Sequence, residues 1–286
     1  WTILNPIIRT FIYFTALYSI GSVIFKVHFY KYFNEEINIY CKKIIRNSAL
    51  LGLLISILAF LSVAGNLGGE IESIFEIDLI ELSFETMQGK SYLLLIVGFS
   101  FLYFSYYFQN IFVNAFNIIG TVLILISFIV IGHSLSQGIY TQILLLIHLF
   151  CISYWLGSFL PFKYMCNKKK FENLYLVAHN FGIYATFYIG LLVITGLIFS
   201  YFLLGGILPI ITSTYGNVLI CKLLLVSSVL MIGAINKFRI VPNIKENLSL
   251  GQSKLKRSIN IEFMLTWFIL FLTSILTTSL PTPMGM

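Results

Sequence analysis

The sequence predicts an all-α, polytopic membrane helical bundle of about eight transmembrane helices, and three observations carry that prediction. Hydrophobic residues make up 58% of the 286 residues and charged residues only 10%, with a mean hydropathy of +0.93. A water-soluble domain carries about 25% charge. The apolar runs are about 20 residues long, the length a helix needs to cross hydrocarbon, whereas a barrel strand needs about 10. They also lack the alternation of a barrel strand. Hydrocarbon offers backbone N–H and C=O groups no partner, so only helices or a closed barrel span it, and run length selects helices.

The spans fall at about 5–27, 46–66, 90–108, 111–132, 140–162, 174–204, 215–236 and 259–280. The first, through Ile7 to Phe25, has no small-residue cleavage pattern and is expected to remain as a helix. Thr86-Met87-Gln88-Gly89 opens the third span, and Thr214-Tyr215-Gly216 opens the seventh. This echo hints that the single membrane domain, 1–286, holds duplicated four-helix halves, 1–132 and 133–286. Asn110, Asn114, Asn117 and Thr121 form a polar stripe on the fourth span. The sixth is the longest and is expected to tilt or to overrun the bilayer.

Charge sets the orientation. The connectors after spans one, five and seven hold fifteen of the 18 basic residues, from Lys26 to Arg46, Lys163 to Lys170 and Lys237 to Arg257. Basic connectors stay cytoplasmic, so both termini are expected on the outer, periplasmic side. A count of seven or nine spans would break this alternation. The net charge of +7 is therefore an anchoring feature in contact with lipid headgroups and not a nucleic-acid footprint, being split among three short connectors. The connector from Leu67 to Gly89 carries six acids, from Glu70 to Glu85, and is expected to be a solvated outer loop with a short amphipathic piece. Its carboxylates can also gather cations.

Ionisable side chains at membrane depth are functional candidates. His133 closes the fourth span at the outer surface. His148 lies roughly 12 Å into the fifth span at the helical rise of about 1.5 Å per residue. Cys151 shares its face and Trp155 continues that face two turns deeper. Imidazole and thiolate suit copper or zinc; a hydrogen-bonded bundle histidine beside a small apolar cysteine is the other reading. Lys222 enters the seventh span at a similar depth, as a structural residue or a gate. Glu262, near the inner end of the last span, begins a stripe with Thr266, Thr273 and Thr277. His179, near the inner end of the sixth span, shares a face with Gly182, Thr186 and Gly190. Either stripe can be helix packing or the lining of an ion path. Arg9 lies near the outer boundary, where it can snorkel, and His28 reads as interfacial. Met284 and Met286 could hold Cu(I) through their thioethers or belong to a frayed tail. No pair of the four cysteines shares an exposed loop, so no structural disulfide is expected. No phosphate-cradling glycine loop, HExxH or CxxC occurs, which argues against an ATP-driven pump and a zinc protease.

The second half resembles the CopD family of bacterial copper-resistance membrane proteins. The likeness is carried by Gly132-His133, by His148 followed by Trp155-Leu156-Gly157 and Pro161, by Thr214-Tyr215-Gly216 through Lys222 to Asn236, and by Leu255-Lys256-Arg257-Ser258 with Glu262, ending in Thr277-Thr278-Ser279-Leu280-Pro281. The first half matches only in its hydrophobic plan. The resemblance implies an inner-membrane, multi-pass copper-handling protein, commonly regarded as an importer and not an enzyme, with copper as its ion. It also implies a separate periplasmic carrier of the CopC type as a partner. By position, His133 and His148 are its candidates to bind or relay the ion; no family role falls on His179. Two alternatives stay open: a b-type haem electron carrier, with His28 and His179 as the conceivable axial pair, and a non-catalytic subunit of a larger membrane assembly built around a copper enzyme.

Overall fold

The computed structural model describes residues 1–108, 111–132, 138–168, 171, 173–206 and 208–281. Its helices are α1 (Leu4–Phe29), α2 (Glu35–Gly68), α3 (Ile77–Glu85), α4 (Met87–Phe104), α5 (Ile111–Ile129), α6 (Ile139–Leu156), α7 (Phe159–Asn167), α8 (Leu174–Leu204), α9 (Pro209–Thr212), α10 (Thr214–Ile235), α11 (Val241–Glu246) and α12 (Leu248–Thr278). No strand occurs among the described residues. Among the described residues, eight helical segments are long and apolar enough to cross a membrane, as the sequence predicts.

Local chemistry sets the helix ends. The side chains of Asn34, Thr86, Ser213 and Asn247 accept hydrogen bonds from the backbone N–H of Ile37, Gly89, Gly216 and Leu250, each satisfying a donor that the first helical turn leaves orphaned. These caps move two boundaries away from the sequence expectation. Helix α2 begins at Glu35 and not near 46, and α12 begins at Leu248 and not near 259. Hydropathy marks only the part of a helix in hydrocarbon, and the capped, charged turns that precede it continue the same helix. At the opposite ends, α2 and α8 stop at Gly69 and Gly205, both with left-handed backbone that glycine adopts without a Cβ penalty.

The Thr86 and Thr214 echo has a structural counterpart in a shifted register. Ser213, not Thr214, is the cap; Thr214 is the first helical residue. In both corners a short helix (α3 or α9) meets a long one, and the cap residue is followed three positions later by a glycine. A Cβ on Gly89 would stand 1.8 Å from the Ser83 carbonyl oxygen, and one on Gly216 would stand 2.2 Å from that of Ile210. Only glycine fits this turn.

Helix α1 is the axis of the bundle. In its most apolar window 78% of residues are buried, against α2, α6 and α12. Helices α4 and α5 extend the α2 side. Helix α6 packs on α8, and α12 packs on α10 and α11. Where α1 crosses α6 the backbones touch: a Cβ on Gly157 would lie 1.9 Å from the Gly21 carbonyl carbon. Small residues allow such approach in hydrocarbon, where dispersion contacts and not water exclusion hold helices together. Stacked aromatics complete the seams. Tyr154 lies between Phe181 and Tyr188 at centroid distances of 4.9 and 4.2 Å, joining α6 to α8, and Phe14 stacks on Trp267 at 4.3 Å, joining α1 to α12. Helix α10 is the least covered, with 11% of its window buried.

Candidate ion-handling site

Two ends of the bundle serve as landmarks: the terminal end, where α1 begins and α12 ends, and the basic end, with its three Lys- and Arg-rich connectors. His148 sits at the middle of α6, half-buried. Its Nδ1 is 3.2 Å from the Leu192 carbonyl oxygen of α8. A carbonyl can only accept, so Nδ1 carries a proton, and in the neutral tautomer the lone pair is on Nε2. Ligating histidines are commonly oriented in this way. The ring rests on Gly196, where a Cβ would approach Cε1 to 3.0 Å. Lys222 of α10, also half-buried, is a charge that acts on this imidazole. Cys151, one turn on, is buried and free and lies near Tyr188 of α8.

Two turns below His148, Trp155 opens the second part of the site. Its Nε1 donates to Glu262 Oε2 at 2.8 Å, and Asn236 Nδ2 donates to Oε1 at 2.5 Å. The Ser258 hydroxyl also turns to this carboxylate. Glu262 is 3% exposed. The indole fits because α10 offers bare backbone at Gly233, where a Cβ would come within 2.4 Å of the ring. A charge at depth is tolerated only when it is hydrogen-bonded or paired, and here hydrogen bonds do the work. The one ion pair among the described residues, Lys168 with Glu36, is elsewhere.

Glu262 forms one wall of a cavity of about 280 Å³ between α6, α7, α8, α10 and α12, in the basic half. Trp155, Phe159 and Phe162 line it from α6 and α7, Ala178, Gly182 and Thr186 from α8, and Leu255 and Ile259 from α12. At Asn236–Ile240 the helix that continues α10 widens into a π-turn, a feature frequent at functional sites. This turn supplies Asn236 and also Lys237, whose Nζ donates to Thr186 Oγ1 at 2.5 Å across the cavity.

Other sequence candidates fall elsewhere. His133, Met284 and Met286 lie outside the described residues, as does Asn110. His179 does not line the cavity with Gly182 and Thr186; it is exposed and stacks on Tyr175 at 5.6 Å. His28 is not a bare interfacial residue. Its Nδ1 donates to the Ile24 carbonyl at 2.9 Å, and its Nε2 accepts from the Tyr188 hydroxyl at 3.2 Å. His28 thus has both nitrogens engaged, and His179 is stacked on Tyr175. Arg9 does not snorkel. It is 7% exposed, with its guanidinium 5.0 Å from the Tyr13 ring centre and 5.3 Å from that of Phe128, and the Tyr13 and Tyr92 hydroxyls in reach. Cation–π contact and phenol oxygens replace the water that an interfacial arginine would seek. On the fourth span, Asn117 Oδ1 and Thr121 Oγ1 are buried without a partner. Among the described residues no three His, Cys, Asp or Glu side chains gather closely enough to hold a metal ion.

Residues 176–276 match the CopD family, copper resistance protein D. The matched stretch covers α8 to α12 except for its two ends, about a third of the chain. No curated protein and no solved structure matches the chain. The eight membrane-capable helices among the described residues make the chain a multi-pass membrane protein, and its matched stretch is similar to a copper-resistance family. Within the CopD match lie His179, Lys222, Asn236, Lys237, Ser258 and Glu262; His133, His148, Cys151 and Trp155 precede it. Sequence reasoning named Glu262 but missed its setting. Asn236 entered only through the family resemblance and Lys237 only as a basic connector residue, and Gly233 gave no hint that an indole would lie on it.

Proposed function

We propose that this chain moves copper across the inner membrane, toward the cytoplasm, as a transporter and not as an enzyme. The observation that supports this most is the polar line along α6. It runs from Nε2 of His148 past Cys151 to Trp155, and there meets Glu262 and the cavity. A nitrogen and a sulfur donor one turn apart suit copper, and a sparse site suits transport, since an ion held by few ligands can leave again. His133, near the outer surface by its place in the sequence, would receive the ion first. Met284 and Met286 would add thioether donors at that end, and Lys222 would gate the step to His148. Inside, Glu262 is the anionic group that the cation would meet. The acid-rich segment around α3 would face a separate periplasmic copper carrier of the CopC type.

Purified protein in liposomes tests this directly. Copper flux should exceed that of empty liposomes, and His148→Ala should lower it by about tenfold or more, the effect of losing one oriented ligand. Flux that survives the loss of both His133 and His148 removes this route.

A second reading, a non-catalytic subunit of a larger membrane assembly, is favoured by the thin cover of α10. Partners that co-purify in fixed ratio, together with absent flux, would select it.

A further inference from the structure

We propose that Glu262 is a proton-binding site served from the cytoplasmic side through the cavity, and that its proton is the counter-ion of the copper movement proposed above, on which this second clause rests. Three observations carry it. First, the carboxylate is 3% exposed and has no cation within ion-pair distance among the described residues; its donors are Trp155 Nε1, Asn236 Nδ2 and Ser258. Such a charge is held weakly enough to be neutralised by a proton. Second, the site contains the partner that the protonated form needs. Asn236 Oδ1 is buried with no hydrogen bond. Rotation of the amide exchanges the Nδ2 donor for this acceptor, so one side chain serves both states: N–H to the carboxylate, C=O to the carboxylic acid. Third, the charged groups around the cavity are few. Helices α6 and α7 bring Trp155, Ser158, Phe159 and Phe162, α8 brings Thr186, and α12 brings Ser258; among the described residues only Lys237, from the π-turn, adds a charge to the wall. Lys237 donates to Thr186 and not to Glu262. The proton would pass from water in the cavity to a carboxylate oxygen and, as copper moves inward, be released to water on the outer side, so only O–H bonds form and break.

Infrared difference spectra of the full chain in lipid vesicles, taken between acid and alkaline pH, test the site without copper. A carboxylic C=O band should titrate in the wild type and vanish in Glu262→Gln. Asn236→Leu removes a partner from both forms, but the bond to the charged form is the stronger, so the midpoint of that band should move to higher pH. A titrating spectrum unchanged by either substitution overturns the site. Coupling is read in copper-loaded liposomes with a pH-sensitive dye: copper flux should drive opposite proton movement, and Glu262→Gln should lose it. Copper flux without proton movement overturns the coupling alone. Absence of copper flux overturns the transport reading and the coupling with it, while the infrared band still decides whether Glu262 binds a proton.

Discussion

At the scale of single residues, Glu262 shows how a chain with few charges spends one of them. Its partners lie 107 and 26 positions away in sequence, so no local pattern could reveal them. Only the presence of an acid in an apolar run was legible. The same limit explains His179: helical spacing put it beside Thr186, but spacing ranks positions around one helix and does not say where the neighbouring helices stand. Arg9 failed for a related reason, since the rings that receive it come from its own turn and from α5. The hydrogen bond from Trp155 should be measurable in stability. Trp155→Phe keeps a buried ring and deletes the donor, leaving Glu262 short of a partner. The expected loss is about 1.5–3 kcal/mol, typical of a bond to a charged group, read as a lower midpoint in thermal denaturation in detergent. A midpoint equal to the wild type would mean that the bond contributes nothing.

At the scale of helices, the glycines divide into those that hold contacts and those that do not. Gly157 on α6 and Gly21 on α1 leave no room for a methyl group. Gly157→Val should therefore fall at or beyond the upper end of the about 1–3 kcal/mol usual for overpacking. Gly190 on α8 has open space around its missing Cβ, so Gly190→Val should be near neutral and serves as the control. The comparison is the fraction of each variant that remains monodisperse after heating. Equal survival of the two would remove the crossing from the account of packing. Helix existence was legible because run length and hydropathy report directly on hydrocarbon. Helix ends were not, because the caps at Asn34 and Asn247 lie in polar stretches that read as connectors.

At the scale of the whole molecule, the eight-span plan rests on run length and hydropathy, and the side proposed for each connector rests on the distribution of Lys and Arg. The structure adds that the connectors are largely helical at the basic end. The orientation is open to a labelling experiment. In a Cys221→Ala background, Phe75→Cys beside α3 should react with an impermeant maleimide on intact cells. Lys245→Cys in α11 should react only after permeabilisation; the reverse pattern would invert the assignment of inside and outside.

The thin cover of α10 has a consequence for how this protein behaves outside its native surroundings. With 11% of its apolar window buried, most of that helix's flank meets acyl chains, and α10 also forms one side of the cavity beside Glu262. The spacing of that wall is thus set partly by whatever fluid presses on it. A short-chain surfactant that wets the flank poorly should let the helix lean and change the chamber's width, so the choice of solubilising medium becomes a physical variable in any assay of this molecule.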